Sequence, residues 1–166
     1  MSFLVNASEE EIISGAAYAA YRRHLETIRP NLPTHVYEFT VADWHYDFSD
    51  HRCPHDAWIE KIQIEELSSG PRHEVRKTRI TIKLLGAHHD RIFTLVYDDV
   101  VSYAIDVPQA MTATISHGDW IIDEIGLSAS KAIVHEIKFW CGPDASPTLR
   151  IESRDLSFSE EMLPAD

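Results

Sequence analysis

The sequence predicts an α+β domain in which an N-terminal helix packs on a curved, mostly antiparallel sheet or open barrel of seven or eight strands. Near the N-terminus, apolar residues recur at three- and four-residue steps, which is the period of a helix. Residues 75–105 and 120–140 instead alternate between apolar and polar side chains, as paired strands do. Because no repeat or break in composition divides the chain, we expect one domain over residues 1–166.

Charge and cysteine content limit the classes of function. Fifteen basic and 27 acidic residues give a formal net charge of −12, which repels phosphate backbones and favours a basic protein partner over nucleic acid. The chain shows neither a secretory signal nor the roughly 20 apolar residues of a membrane span, so we expect a cytoplasmic protein without a membrane partner. Cys53 and Cys141 have no metal-binding spacing. We interpret them as buried free thiols, with a disulfide between them as the alternative.

The first predicted element is a helix that begins at Ser8 and ends before Pro30. Ser8 and Glu11 have the spacing of a capping box, in which each side chain bonds the other residue's backbone amide. One face of this helix is apolar, and it consists of Ile13, Ala17, Tyr21, Leu25 and Ile28.

Two further strands are predicted before residue 70, separated by an irregular segment. Residues 36–41 alternate as a short strand, and residues 58–67 alternate as a longer one with Trp58, Ile62 and Ile64 on one face. Residues 42–57 are irregular and rich in Trp, His and Asp, and residues 68–71 have the composition of a turn.

The central hairpin is predicted from the agreement of both strand faces. A turn at His88 and His89 pairs apolar residues with apolar residues and sets Arg79 opposite Asp98. Asp98 and Asp99 then form the next turn, which leads into a third strand over residues 100–105. The apolar pairs are Ile80 with Tyr97, Ile82 with Leu95 and Leu84 with Phe93.

A second hairpin follows a predicted loop over residues 107–117. Residues 120–127 and 132–140 pair across the turn 128–131. This register sets Trp120 opposite Phe139, Ile122 opposite Ile137 and Glu124 opposite His135. We expect a further turn over residues 142–147, a last strand from residue 149 that extends through 158, and a frayed tail from Glu160.

The irregular segment is the first candidate site, because imidazole, thiol and carboxylate groups bind zinc, iron and manganese. No known metal motif such as HExxH occurs there, so the alternative is an ordered surface loop held by Trp44 and Trp58. The candidate donors are His45, Asp47, Asp50, His51, Cys53, His55 and Asp56.

A second metal site is predicted from two loops, if these loops meet at one end of the sheet. The turn contributes His88, His89 and Asp90, and the later segment contributes His117 and Asp119. Short polar residues are also common in hairpin turns, so the pattern needs no ligand to explain it.

Glu124 and His135 form the third candidate. A carboxylate beside an imidazole is typical of general acid–base pairs, and it is also a way to satisfy two polar groups at the end of an apolar face. We expect the two side chains to be in contact. No nucleophile motif, phosphate loop or cofactor motif accompanies the pair, so the sequence favours a protein that is not an enzyme and needs no cofactor.

The fourth candidate is an acidic docking surface. No lysine or arginine occurs between Arg91 and Lys131, whereas six acidic residues do. Complementary charge speeds encounter with a basic partner and selects among partners, but an acidic face can also serve solubility alone. The predicted binding residues are Asp98, Asp99, Asp106 and Asp119, together with Trp44 and Trp120.

Several short phrases resemble those of a group of short bacterial hypothetical proteins. They are His55-Asp56-Ala57-Trp58, residues 84–90, residues 97–100 with Tyr103, His117-Gly118-Asp119-Trp120 with Asp123-Glu124, and His135-Glu136-Ile137. This resemblance brings no catalytic residues. In size, acidity and sheet content the chain is also similar to immunity proteins that neutralise bacterial toxins.

Two functional hypotheses follow. The first is a binding protein, such as an immunity-type inhibitor, that presents acidic loops to a basic partner. The second is a domain that binds a small ligand or a metal at the open end of the sheet. Weak hydrolytic activity at that site is a further form of this hypothesis. Edge strands also favour pairing between copies, so we expect a homodimer.

Overall fold

The computed structural model describes residues 2–107, 116–142 and 146–164, which form three helices and eight strands. No helix in these ranges is both long enough and apolar enough to cross a lipid bilayer. The helices are α1 (Glu9–Ile13), α2 (Ala16–Ile28) and α3 (Thr34–Thr40). The strands are β1 (Trp58–Ser69), β2 (Val75–Leu85), β3 (Arg91–Asp98), β4 (Ser102–Asp106), β5 (Asp119–Leu127), β6 (Ile133–Trp140), β7 (Thr148–Ser153) and β8 (Asp155–Met162).

All eight strands belong to one antiparallel sheet in the order β4-β7-β6-β5-β1-β2-β3-β8. The sheet consists of two four-stranded halves, because β1 and β5 share a single residue pair, Trp58 with Asp119. A bend at Arg154 takes the chain directly from β7 in one half to β8 in the other. The result is a curved, open sheet with edges at β4 and β8, which confirms the predicted fold class.

The main core contains buried side chains from both halves of the sheet. Val36 and Phe39 of α3 pack with this core, while Tyr21 and Leu25 of α2 form a second cluster with Ile122 of β5. The helices therefore lie on two different parts of the sheet. The strands contribute Ile80, Ile82, Leu84, Phe93, Leu95, Tyr97, Trp120, Ile125, Ile137, Phe139, Leu149 and Ile151 to the main core.

The central hairpin has the predicted register. Ile80, Ile82 and Leu84 face Tyr97, Leu95 and Phe93. Arg79 Nε donates to Asp98 Oδ1 at 2.6 Å. His89 lies in the turn with a φ of 57°. Both faces of these strands fix the register, since a one-residue slip would place charges against apolar side chains.

The N-terminal helix is interrupted, contrary to the prediction of one continuous helix. The capping box of Ser8 and Glu11 is confirmed. Gly15 has a φ of 75° and separates α1 from α2, which leaves Ile13 78% exposed. Left-handed backbone ends a helix and is easiest for glycine.

The prediction of a strand at residues 36–41 is wrong, because this segment belongs to α3. Val36, Phe39 and Thr40 are buried together, and Thr40 Oγ1 donates to the carbonyl of Val36 at 2.8 Å. Apolar residues three and four positions apart share one side of a helix. A run of six residues is too short for its periodicity to distinguish a strand from a helix.

The C-terminal part of the chain also differs from the prediction. Glu160 is not frayed, since β8 pairs with β3 over its whole length and Arg91 Nη1 bonds Glu160 Oε2 at 2.7 Å. The predicted third strand begins at Ser102 and pairs with β7 rather than with β3. Residues 108–115 of the predicted loop and 143–145 of the predicted turn lie outside the described residues.

We expect Leu95→Ala to lower the free energy of unfolding by about 2–5 kcal/mol, because it opens a cavity between the two halves. Leu95 is 1% exposed, whereas Leu67 is 38% exposed, so Leu67→Ala is the matched control with an expected cost below about 1 kcal/mol. Urea denaturation measures both. Equal costs would contradict the position of the core.

Candidate functional site

A β-bulge in β5 decides which side chains face the core. Trp120 pairs with Phe139 as predicted, but the register then shifts between Trp120 and Ile122. Beyond this point Ile125, and not Glu124, lies opposite His135. An extra residue in one strand turns every following side chain to the other face. The predicted contact between Glu124 and His135 is therefore wrong.

Glu124 instead holds the N-terminal segment. Its Oε2 accepts hydrogen bonds from the backbone amides of Phe3 at 2.8 Å and Leu4 at 2.5 Å, and the residue is 5% exposed. Leu4 packs in the cluster that contains Ile122 and α2. Glu124 thus fixes the start of the chain against the outer side of β5.

Asp123 occupies the position facing the core that Glu124 was expected to take. Its two carboxylate oxygens lie 3.0 Å from His45 Nε2, and Oδ2 lies 3.0 Å from His135 Nε2. Trp120 Nε1 donates to Oδ1 at 3.3 Å. The three ionisable groups come from β5, β6 and the irregular segment, and each is at most 1% exposed.

Hydrogen-bond partners define the charge of His45. Its Nδ1 lies 3.0 Å from the carbonyl oxygen of Phe39, which can only accept, and its Nε2 faces the carboxylate of Asp123. Both ring nitrogens therefore donate, so the imidazole carries two protons and a positive charge. This cation balances the negative charge of Asp123 inside the core.

His135 connects the carboxylate to the other half of the sheet. Nδ1 of His135 lies 2.7 Å from the hydroxyl of Tyr97 on β3. Nε2 of the same ring bonds Asp123 Oδ2 at 3.0 Å. The chain of bonds from Tyr97 through His135 to Asp123 thus spans β3, β6 and β5.

The pKa values of the buried groups follow from these contacts. Burial alone would raise the pKa of Asp123, but the charge of His45 and hydrogen bonds from both imidazoles hold it well below its usual value. Burial likewise opposes the charged form of His45, yet Asp123 and the carbonyl of Phe39 raise the pKa of this imidazole. Both shifts favour the state in which Asp123 is an anion and His45 a cation.

The buried network does not have the accessibility that catalysis needs. The side chains of His45 and His135 are 0% exposed and that of Asp123 is 2% exposed, so no substrate can contact them in this conformation. Burial also raises the pKa of the neighbouring Cys53 thiol to about 11, which keeps it protonated at neutral pH. This network therefore stabilises the core. Cys53 and Cys141 are both buried, with no disulfide between them.

An exposed site lies at the end of the sheet where β1 and β5 begin and β6 ends. Asp119 pairs with Trp58 on one side and with Trp140 on the other. Directly opposed residues project to the same face, so the Asp119 side chain leaves the sheet on the same face as the two indoles, from the strand between them. Trp58 is 38% exposed and Trp140 is 50% exposed. We call the surface formed by Trp58, Asp106, Asp119 and Trp140 the tryptophan end.

The predicted histidine loops adjoin this surface. His51 Nδ1 lies 2.7 Å from Asp90 Oδ2, and the His51 ring stacks on His88 at 3.6 Å. His89 contacts the edge of Trp58 at 4.7 Å. A hydrogen bond from Arg91 and another from His51 hold the pKa of Asp90 well below its usual value. In the described ranges, no three or more His, Cys, Asp or Glu residues are grouped closely enough to hold a metal.

Of the predicted acidic residues, two already have cationic partners. Asp98 bonds Arg79 at 2.6 Å, and Asp99 bonds Lys77 at 2.7 Å. Neither Asp106 nor Asp119 forms an ion pair within 4 Å with any residue that the structure describes. The predicted docking charge is thus concentrated at the tryptophan end.

The two tryptophans proposed from the sequence are not the exposed ones. Trp120 is 1% exposed in the core, so its predicted role as a binding residue is wrong. Trp44 is partly buried, stacks on His45 and carries Arg52 over its ring at 5.6 Å. Trp140 was missed, although the predicted hairpin register already implied that it lies opposite Asp119.

We expect the network to make stability depend on pH in two directions. The contribution of Asp123, whose pKa is lowered on folding, is complete above the ordinary aspartate pKa of about 3.9 and is lost on acidification. The contribution of His45, whose pKa is raised, is complete below about 6.5 and is lost as the pH rises past that raised value. Urea denaturation between these limits and on either side of them measures the effect.

Asp123→Asn should cost about 3–5 kcal/mol near pH 6, because it leaves the His45 cation buried without a counter-charge. It should also flatten the pH dependence. Asp43→Asn removes an exposed carboxylate and is the control for the same change in net charge. If both variants kept the pH profile of the unmodified protein, the charged state of the network would be refuted.

Comparisons with known proteins do not place the chain in a family. No protein-family model, no curated protein and no solved structure matches it. The geometry of the tryptophan end and of the buried network is therefore the basis for the function proposed below.

Proposed function

We propose that the protein is a cytoplasmic binding protein that docks a basic protein partner on the tryptophan end, in the manner of an immunity-type inhibitor. The observation that carries this proposal is the position of Asp106 and Asp119. Both are carboxylates without an ion pair among the described residues, and they lie at the same end of the sheet as two exposed indoles. Asp98 and Asp99, the other two aspartates predicted as docking residues, already have cationic partners.

The chemistry of this surface suits protein recognition. Tryptophan is enriched among the residues that dominate binding energy in interfaces. Carboxylates at the rim attract a basic partner over distance and reject acidic ones, and the net charge of −12 acts in the same sense. Together these features favour a partner with a basic surface.

Binding is a better explanation than catalysis because the imidazoles and the carboxylate of the buried network are sealed in the core. His45, Asp123 and His135 are each at most 1% exposed, and the pKa of Cys53 is raised rather than lowered. An activated nucleophile or a general base must reach its substrate.

A cavity at the same end supports small-ligand binding as a second candidate function. It has a volume of about 470 Å³ and is lined by Trp58, Ile59, Ser116, His117, Gly118 and Asp119. This volume lies in the range typical of small-molecule sites.

Thermal denaturation with zinc or manganese, compared with denaturation in the presence of a chelator, tests whether the small ligand is a metal ion. An unchanged melting temperature would refute metal binding.

We expect Asp106→Asn/Asp119→Asn to reduce capture of a basic partner from the source lysate by at least about tenfold, because both free carboxylates are lost. Glu65→Gln/Glu74→Gln makes the same change in net charge near the opposite end of β1, about 23 Å along the strand from Trp58 to Glu65. Quantitative affinity capture at low and high salt compares the variants. Equal loss in both, or capture that does not weaken with salt, would contradict a docking site at the tryptophan end.

The immunity form of the proposal has its own test. Co-expression with the product of the adjacent reading frame should neutralise any toxicity of that product, and the double asparagine variant should fail to do so. Protection by both forms of the protein would place the inhibitory surface elsewhere.

We also propose a homodimer through the edge of β4. Tyr103 and Ile105 lie opposite the buried residues Ile151 and Leu149, yet they are 47% and 41% exposed. Antiparallel pairing of two copies about Ala104 would place each Tyr103 opposite an Ile105 and each Asp106 opposite a serine, so like charges would not meet.

Ile105→Lys should abolish this dimer, because lysine on an edge strand opposes further pairing. Ile13→Lys changes a residue that is 78% exposed on α1 and serves as the control. Sedimentation equilibrium gives the mass of each variant. A monomeric unmodified protein, or a dimer that survives Ile105→Lys, would refute this arrangement.

A further inference from the structure

We propose that Asp119, on the strand between those of Trp58 and Trp140, binds one guanidinium group, which an arginine side chain of the basic partner supplies. This inference rests on the proposed function and names the chemistry of its central contact. Arginine suits the site because its planar group can stack on an indole while its fork of N–H donors bonds a carboxylate.

The strand register produces the arrangement. Trp58, Asp119 and Trp140 form one row across β1, β5 and β6. Neighbouring strands are about 4.8 Å apart, so the two indoles leave strands separated by roughly 10 Å with the carboxylate in the middle. Trp58 and Asp119 also line the same cavity, which has a volume of about 470 Å³. The row thus combines a negative charge with two aromatic faces.

Local contacts hold the row in place. Gly118 has a φ of 82°, and a Cβ there would lie 2.1 Å from the carbonyl oxygen of Trp140. Only glycine therefore allows the chain entering β5 to approach β6 so closely. His89 packs against the Trp58 ring at 4.7 Å, nearly perpendicular to it, and this contact restricts the ring. A preorganised site loses less entropy on binding.

Two other aromatic rings of the protein have an arginine over them, whereas the described residues place no cation over the two rings of this site. Arg52 lies over Trp44 at 5.6 Å, and Arg29 lies over Tyr37 at 4.8 Å. No arginine or lysine of the described residues lies over Trp58 or Trp140, and none forms an ion pair with Asp119. Lys138 lies two residues before Trp140 on the same face of β6, and it forms no ion pair with Asp119. An external cation therefore complements this position.

Nuclear magnetic resonance of the four indole N–H groups tests the inference on the intact protein with N-acetyl-arginine amide as the probe. We expect saturable shifts of the Trp58 and Trp140 signals, while those of the partly buried Trp44 and the buried Trp120 stay in place. N-acetyl-citrulline amide has a similar shape without the charge, and it should give no saturable shift. Shifts with citrulline, or a stronger response to N-acetyl-lysine amide, would overturn the assignment to a guanidinium group.

Variants locate the contact. Asp119→Asn should weaken the response to the arginine probe by at least about tenfold, and Trp58→Ala and Trp140→Ala should each weaken it by about threefold or more. Asp106→Asn removes the other free carboxylate of the tryptophan end and should leave the response unchanged. An unshifted Trp120 signal shows in each variant that the core is intact. Equal effects of Asp106→Asn and Asp119→Asn would reduce the site to general attraction and refute the proposal.

The two proposals fail separately. Binding of the arginine probe at Asp119, combined with partner capture that ignores the asparagine substitutions, would refute the proposed function and leave the guanidinium site standing. Salt-sensitive capture that depends on Asp106 and Asp119, without any response to the arginine probe, would do the reverse.

Discussion

The carboxylate of Asp123 is the contact on which the arrangement of the chain depends. It binds His135 of the adjacent strand and His45 of the irregular segment, and through His135 it reaches Tyr97 in the other half of the sheet. Apart from the apolar core, these halves meet at one residue pair between β1 and β5 and at the bend at Arg154. The buried polar network therefore joins elements that few backbone hydrogen bonds connect.

The same contact selects the register of β5 against β6. Without the bulge after Trp120, apolar pairs still agree, since Ile122 would face Ile137 and Glu124 would face His135. That alternative would turn Asp123 away from the core and remove its hydrogen bonds to the His45 cation and to His135. A buried charge without a partner is far more costly than an imperfect apolar contact. The polar network, rather than apolar pairing, thus distinguishes the two registers.

Sequence patterns predicted those parts of the fold in which two independent signals agree. In the central hairpin, apolar pairs and the pair of Arg79 with Asp98 require one register, and the structure has it. For α3 only six residues carried the signal, and in β5 a single inserted residue reversed the faces. Contact between His45 and Asp123 spans 78 positions, and nothing in local periodicity indicates it. The acidity of the candidate site and the position of Trp140 opposite Asp119 were predictable, but Trp58 joins the site only through the pairing of β1 with β5.

Asp119 and Asp123 show how position on one strand gives two aspartates opposite roles. The bulge lies between them, so Asp123 faces the core beside two imidazoles while Asp119 faces solvent beside two indoles. In the core, the Asp123 carboxylate is removed from water, so the protein itself must balance its negative charge, and His45 does so. At the surface, water stabilises the Asp119 carboxylate, so this charge needs no partner within the protein and is available to the proposed one. Because separate residues form the buried network and the proposed binding surface, that surface can change without disturbing the core.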